Sequence, residues 1–190
     1  MVRSASQIAL ECALQTQPNI CLIAEEIEAK QMTLDNGVNY IAEIVAARAA
    51  KGNNFGTVLI PEGLIEFIPA MKRLIAELND YLAANGSEFA MIKKSEQINY
   101  IIKHLSPENS AIYASLPEGV ARQLTLDRDP HGNVQVSLIE TEKLLSEMVG
   151  RRVADMQAER KVEGKFAQQV YFFGDYGRCA DPSNFDAEYG

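Results

Sequence analysis

The chain has 190 residues, of which 47% are hydrophobic and 23% are charged, a composition typical of a globular protein with one sizeable core. Its formal net charge of −8 argues against a nucleic-acid-binding protein, because such proteins need a clustered basic surface. The sequence also contains no run of about 18 apolar residues, so it predicts no membrane span.

The cysteines and histidines do not form a recognisable metal-binding pattern. Cys12, Cys21 and Cys179 lack metal-site spacing, and the sequence predicts that Cys12 and Cys21 are buried free thiols in apolar surroundings. Free thiols favour a reducing, cytoplasmic compartment. His104 and His131 have no carboxylate or thiol partner nearby in the sequence, so no metal ligands are predicted in this chain.

Residues 1–86 alternate between helical and strand patterns. Continuous apolar runs at 20–24 and 57–60 predict two strands that are buried on both faces. Helix starts are indicated by apolar residues with helical spacing after Ser4 or Ser6, after Thr33 and from Leu64. This alternation predicts an α/β fold, with a parallel sheet flanked by helices and forming part of a larger domain.

Residues 87–163 interrupt this alternation and are predicted to form a mostly helical insertion. Helix starts are indicated at Ser95, Ser106, Leu116 and Ser137, and a turn at 129–133. Residues 164–190 are predicted to return to the α/β domain, with Val170–Phe173 as a buried last strand and a polar substrate loop after Gly174.

Polar residues that follow predicted strands are the candidate binding residues, because ligands bind outside the carboxyl ends of strands in parallel sheets. Glu62 either stabilises the start of the next helix or accepts hydrogen bonds from substrate hydroxyls. Arg178 either pairs with a nearby aspartate or binds phosphate. Asp175 suits a sugar hydroxyl or Arg178, and Arg3 is a weak anion-binding candidate at a helix start.

The sequence contains no complete catalytic apparatus. We find no Ser-His-Asp or Cys-His arrangement, and no glycine pattern typical of Walker or dinucleotide-binding loops. The candidate residues therefore predict binding of a sugar and an anion.

Four blocks of sequence closely resemble long-chain pyrophosphate-dependent phosphofructokinases. In chain order, they are residues 3–19, 60–69, 128–136 and 172–179. The resemblance covers essentially the whole chain and implies a piece of that family's α/β fold. It also implies phosphoryl transfer from pyrophosphate to the 1-hydroxyl of fructose 6-phosphate, which is reversible and requires magnesium.

The resemblance implies roles for individual residues. The family's Met-Gly-Arg motif corresponds to Met1, Val2 and Arg3, with a departure at Val2. The glutamate of its Pro-Glu-Gly motif corresponds to Glu62, which is expected to bind sugar hydroxyls. Its Tyr-Glu-Gly-Arg motif corresponds to Asp175, Tyr176, Gly177 and Arg178. Arg178 and Arg3 are expected to hold the 6-phosphate, and the tyrosine is displaced by one position.

The family's pyrophosphate loop, magnesium ligand and catalytic aspartates are expected to precede position 1. No catalytic residue is therefore assigned here, and the chain alone is expected to be inactive. The family's oligomers imply a homo-oligomer with phosphate ligands from a neighbouring subunit. Two alternatives remain open: a non-catalytic regulatory homologue that has drifted at Val2 and Asp175, and a helical interaction module at 87–163.

Overall fold

A computed structural model describes residues 6–93, 96–126, 134 and 139–173. Within these residues the protein is mostly helical and contains one small parallel sheet. The helices are α1 (Gln7–Thr16), α2 (Ala24–Ala29), α3 (Leu34–Ala49), α4 (Leu64–Phe67), α5 (Pro69–Ala90), α6 (Gln97–His104), α7 (Pro107–Ser115), α8 (Glu118–Leu126) and α9 (Thr141–Ala158). The strands are β1 (Ile20–Cys21) and β2 (Val58–Leu59).

The two strands pair in parallel, as the sequence predicts. Ile20 lies opposite Val58 and Cys21 lies opposite Leu59, while α2 and α3 form the connection between the strands. The Leu22 N–H donates to the Leu59 carbonyl at 3.0 Å and extends the pairing by one bond. The first strand is shorter than predicted because α2 already begins at Ala24.

Local interactions explain where α3 begins and where the chain turns away after it. Thr33 and Asn36 form a capping box: the Thr33 hydroxyl accepts from the Asn36 N–H at 3.2 Å, and the Asn36 side chain accepts from the Thr33 N–H at 3.0 Å. After the helix, Gly52 adopts a φ of +78°, a conformation that residues with a Cβ rarely adopt.

The helix predicted from Leu64 is divided into two. Ile68 has an extended conformation, with φ −82° and ψ 115°, because the ring of the following proline disfavours helical geometry. Pro69 then occupies the first turn of α5, where its missing N–H costs little. Helix α5 contains one residue with non-helical geometry, Asn85 with φ −123° and ψ 18°, and continues to Ala90.

The segment 87–163 is mostly helical, as predicted, in the part that the structure describes. The starts predicted at Ser106 and Leu116 are followed by α7 and α8. The helix α9 begins at Thr141, four residues later than the prediction at Ser137. Ser95, Ser137 and the turn at 129–133 lie outside the described residues.

One hydrophobic core joins the α/β part to the inserted helices. It contains buried side chains from both parts, including Leu22, Leu74, Ile101, Leu124 and Leu145. Helix α9 also packs on α3, where Arg152 Nε donates to Asn39 Oδ1 at 2.8 Å. The boundaries at 86 and 163 therefore remain predictions from sequence.

Two predictions of burial are wrong. Val170–Phe173 forms no strand in the described residues, and its four side chains are exposed, because no neighbouring strand there covers them. Cys12 is exposed on α1, a helix on which none of the residues is buried, and Cys21 is half-buried. The apolar residues next to Cys12 in the sequence therefore do not show whether its face of α1 packs against the rest of the protein.

None of the helices in the described part of the chain is both long and apolar enough to cross a bilayer.

Candidate functional site

Glu62 lies directly beyond the carboxyl end of β2, as the sequence predicts. Its loop is flanked by the buried residues Pro61 and Gly63, and Glu62 itself is half-buried. The Leu64 N–H donates to the Pro61 carbonyl at 3.1 Å, and the Glu66 N–H donates to the Gly63 carbonyl at 3.1 Å. These bonds fix the backbone on both sides of the Glu62 side chain.

The carboxyl end of β1 lies beside this loop and leads into α2. The side chain of Ser6, one of two residues predicted to cap α1, makes no capping bond there; its hydroxyl accepts a hydrogen bond from the Ala24 N–H at 2.7 Å and so stabilises the start of α2. The Ser6 N–H donates to Glu25 Oε1 at 3.0 Å. Helix α2 packs against α4, so the segments that follow both strands form one wall at this end of the sheet.

A second carboxyl group interacts electrostatically with Glu62. Glu142, in the first turn of α9, is half-buried, and burial raises its pKa. The negative charges of Glu140 and Glu62 raise this pKa further, whereas its own backbone N–H and Lys143 lower it. The charge of Glu62 therefore acts on Glu142 at the start of α9.

The position of Glu142 is fixed by the contacts of its neighbours. The Glu140 N–H donates to Gln123 Oε1 at 3.2 Å, and Gln123 Nε2 donates back to Glu140 Oε2 at 3.3 Å. Thr141 is buried beside these bonds. No motif in the sequence connects position 142 with position 62, and only the packing of α9 brings them together.

The carboxylate groups of Glu62 and Glu142 can accept hydrogen bonds from a ligand. An ionised carboxylate has two acceptor oxygens and suits the hydroxyl groups of a sugar. Across residues 6–93, 96–126, 134 and 139–173, no three His, Cys, Asp or Glu side chains cluster to hold a metal ion. We derive no step through a metal.

The remaining residues predicted for the site cannot be placed against Glu62. Met1, Val2 and Arg3 lie outside the described residues, as do Asp175, Tyr176, Gly177 and Arg178. Their convergence with Glu62 stays a prediction.

Three relatives illustrate what the chain is similar to. It is 62% identical over 189 residues to the pyrophosphate–fructose 6-phosphate 1-phosphotransferase of Porphyromonas gingivalis, covering 100% of this chain and 34% of that protein. It is 48% identical to subunit beta of the enzyme of that name from Solanum tuberosum and 36% identical to subunit alpha 2 from Arabidopsis thaliana. Each match covers 100% of this chain, but only 32% and 29% of those two proteins.

The chain therefore spans about a third of the length of the curated relatives it matches. No protein-family profile matches it. The matches include the inserted helices as well as the α/β part, and the matched proteins are all named as the same transferase. An independent helical interaction module is accordingly not favoured.

Proposed function

We propose that this chain, which belongs to the pyrophosphate-dependent phosphofructokinase family, supplies the sugar-phosphate side of that enzyme's active site. The reaction would move a phosphoryl group from pyrophosphate to fructose 6-phosphate and yield fructose 1,6-bisphosphate and phosphate. The similarity of the whole chain to proteins named for this reaction is the observation that supports the proposal.

Glu62 is the proposed ligand of the sugar ring. Its half-buried position at a strand end, on a loop held by two backbone hydrogen bonds, suits a fixed acceptor for ring hydroxyls. Arg178 and Arg3 are proposed to bind the 6-phosphate, because guanidinium groups pair with phosphate oxygens through two parallel hydrogen bonds. Asp175, Tyr176 and Gly177 would form the rest of the phosphate loop, and Met1 and Val2 would lie beside Arg3.

Three further features belong to the proposal for the whole enzyme. Magnesium would neutralise the charge of the phosphoryl groups, with ligands outside this chain. Subunits would associate, in line with the names of the plant relatives, which distinguish alpha and beta subunits. The location would be cytoplasmic, in line with the free thiols of Cys12 and Cys21.

A chimeric enzyme tests the proposal. The matched third of the Porphyromonas gingivalis relative is replaced by residues 1–190 of this chain, and formation of fructose 1,6-bisphosphate from pyrophosphate is measured. We expect the chimera to turn over and the isolated chain to be inactive, because phosphoryl transfer needs a positioned donor and metal. A folded but inactive chimera, or robust turnover by the isolated chain, would contradict the proposal.

A matched pair of variants in the chimera tests the role of Glu62. Charge-assisted hydrogen bonds contribute roughly 1.5–3 kcal/mol, so Glu62→Gln should raise the KM for fructose 6-phosphate about 10- to 100-fold. The KM for pyrophosphate should stay the same. Glu66→Gln is the control, since Glu66 is also half-buried and lies four residues further on, in α4. Equal effects of both substitutions would remove Glu62 from the sugar site.

A further inference from the structure

We propose that Ser6 and Glu25 are positioning residues that hold Arg3 at the sugar-phosphate site. Both lie where a helix begins, Ser6 immediately before α1 and Glu25 in the first turn of α2. They act through Arg3 and have no contact with the substrate in this proposal. The inference rests on the proposed function, because it takes Arg3 as a ligand of the 6-phosphate.

Two hydrogen bonds join the start of α1 to the start of α2. The Ala24 N–H donates to the Ser6 hydroxyl at 2.7 Å, and the Ser6 N–H donates to Glu25 Oε1 at 3.0 Å. The Ser6 carbonyl accepts from the Leu10 N–H at 2.9 Å and so begins α1. We call Ser6, Ala24 and Glu25 together the Ser6 clamp, because they attach one helix start to the other.

The clamp is the fixed point of a helix that has little other burial. Ser6 is 2% exposed and is the one buried residue in the segment 6–19, whereas none of the residues of α1 is buried. A serine in the cap position usually bonds to the N–H groups of its own helix, but the Ser6 side chain makes no such bond. Its hydroxyl therefore serves to attach α1 to α2.

Glu25 suits this role as an ionised acceptor. Burial acts to raise its pKa, but hydrogen bonds from the Ser6 N–H, from its own N–H and from the Ser6 hydroxyl outweigh burial and lower this pKa. The carboxylate is therefore charged near neutral pH, and hydrogen bonds to a charged acceptor are stronger than those between neutral groups. The adjacent Glu26 pairs instead with Lys30 within α2 and serves as a matched control.

The clamp limits where Arg3 can lie. Arg3 precedes Ser6 by three residues, and three residues of chain span at most about 11 Å. Ala24 begins the helix that follows β1, and β1 pairs with β2, whose carboxyl end leads to Glu62. Because paired strands lie only about 4.8 Å apart, the clamp ties Arg3 to the end of the sheet that carries Glu62.

Substitutions in the chimera described above test the clamp, with the dissociation constant for fructose 6-phosphate measured by calorimetry. Glu25→Ala removes the acceptor of the Ser6 N–H and should raise this constant about 10-fold, because a smaller fraction of the protein then holds Arg3 in the binding arrangement. Glu25→Gln keeps an acceptor oxygen and should restore most of the affinity. Glu26→Ala should leave the affinity unchanged.

The same variants separate positioning from general damage to the fold. The kcat and the KM for pyrophosphate should be equal in all of them, because the clamp contacts no reacting group. Glu25→Ala and Glu26→Ala should also have similar melting temperatures, since both residues are exposed. Unchanged affinity in Glu25→Ala, or the same loss in Glu25→Gln and Glu26→Ala, would contradict the inference.

A double-mutant cycle tests whether the clamp acts through Arg3. Residues that act through one another have non-additive effects, so Glu25→Ala should raise the dissociation constant less than about twofold when Arg3 is already replaced by alanine. A full 10-fold increase in the Arg3→Ala chimera would overturn the inference, because the clamp would then act on another group.

The binding measurements do not depend on turnover. A chimera that binds fructose 6-phosphate through the clamp but does not turn over would contradict only the proposed function. An active chimera in which Glu25→Ala binds as tightly as the parent would contradict only this inference. A folded chimera that binds no fructose 6-phosphate would contradict both.

Discussion

At the scale of single residues, Glu142 links the packing of α9 to pH. Burial and then the charges of Glu140 and Glu62 raise its pKa above the ordinary value of 4.5. The folded protein therefore binds this proton more tightly than the unfolded chain does. The resulting stability is present below the ordinary pKa and is lost as the pH rises through the raised, folded-state value.

We expect Glu142→Gln to relieve this loss. Relative to the parent chain, the variant should be more stable at about pH 7 than at about pH 4, as measured by urea unfolding of the isolated chain. Glu147→Gln changes an exposed carboxylate on the same helix and serves as the control. A stability difference for Glu142→Gln that does not change with pH would show that Glu142 is not subject to this burial and repulsion.

At the scale of elements, Glu77 of α5 holds the start of α7. Glu77 Oε1 accepts from the Ser106 N–H at 2.6 Å, Oε2 accepts from the Ser106 hydroxyl at 2.8 Å, and Asn109 Nδ2 also donates to Oε2. Burial acts to raise the pKa of Glu77, but the hydrogen bonds from Asn109 and Ser106 outweigh it and lower this pKa. The stabilisation is therefore present above the ordinary pKa and is lost as the pH falls.

Glu77→Ala removes all three hydrogen bonds and should lower the free energy of unfolding by about 1–3 kcal/mol near neutral pH. Arg73→Ala provides the comparison, because Arg73 joins the same two helices through an exposed ion pair with Glu108 at 2.8 Å. Exposed ion pairs contribute about 0–1 kcal/mol. Urea unfolding measures both variants, and a larger loss for Arg73→Ala would reverse the proposed ranking.

The elements also show which parts of the fold the sequence could predict. The starts of α3 and α7 depend on Thr33 and Pro107, whose effects act within one helical turn, and both were predicted correctly. Val170–Phe173 was predicted as a strand on composition alone, but a strand needs a partner that local sequence cannot supply. The electrostatic interaction between Glu142 and Glu62 depends on the packing of a helix that is distant in sequence, so no local signal could reveal it.

At the scale of the whole molecule, the described core unites the α/β part with the inserted helices, while Val170–Phe173 remains outside it. The chain also spans about a third of the length of its relatives. The central claim is that Glu62 and Arg178 meet at one sugar-phosphate site when the rest of the enzyme is present.

A crystal structure of the chimera with fructose 6-phosphate is the most direct test of that claim. We expect a Glu62 oxygen to lie about 2.7–3.0 Å from a ring hydroxyl while the Arg178 guanidinium contacts the 6-phosphate. A bound sugar phosphate that contacts neither side chain, or a structure with Glu62 and Arg178 on separate surfaces, would contradict the account.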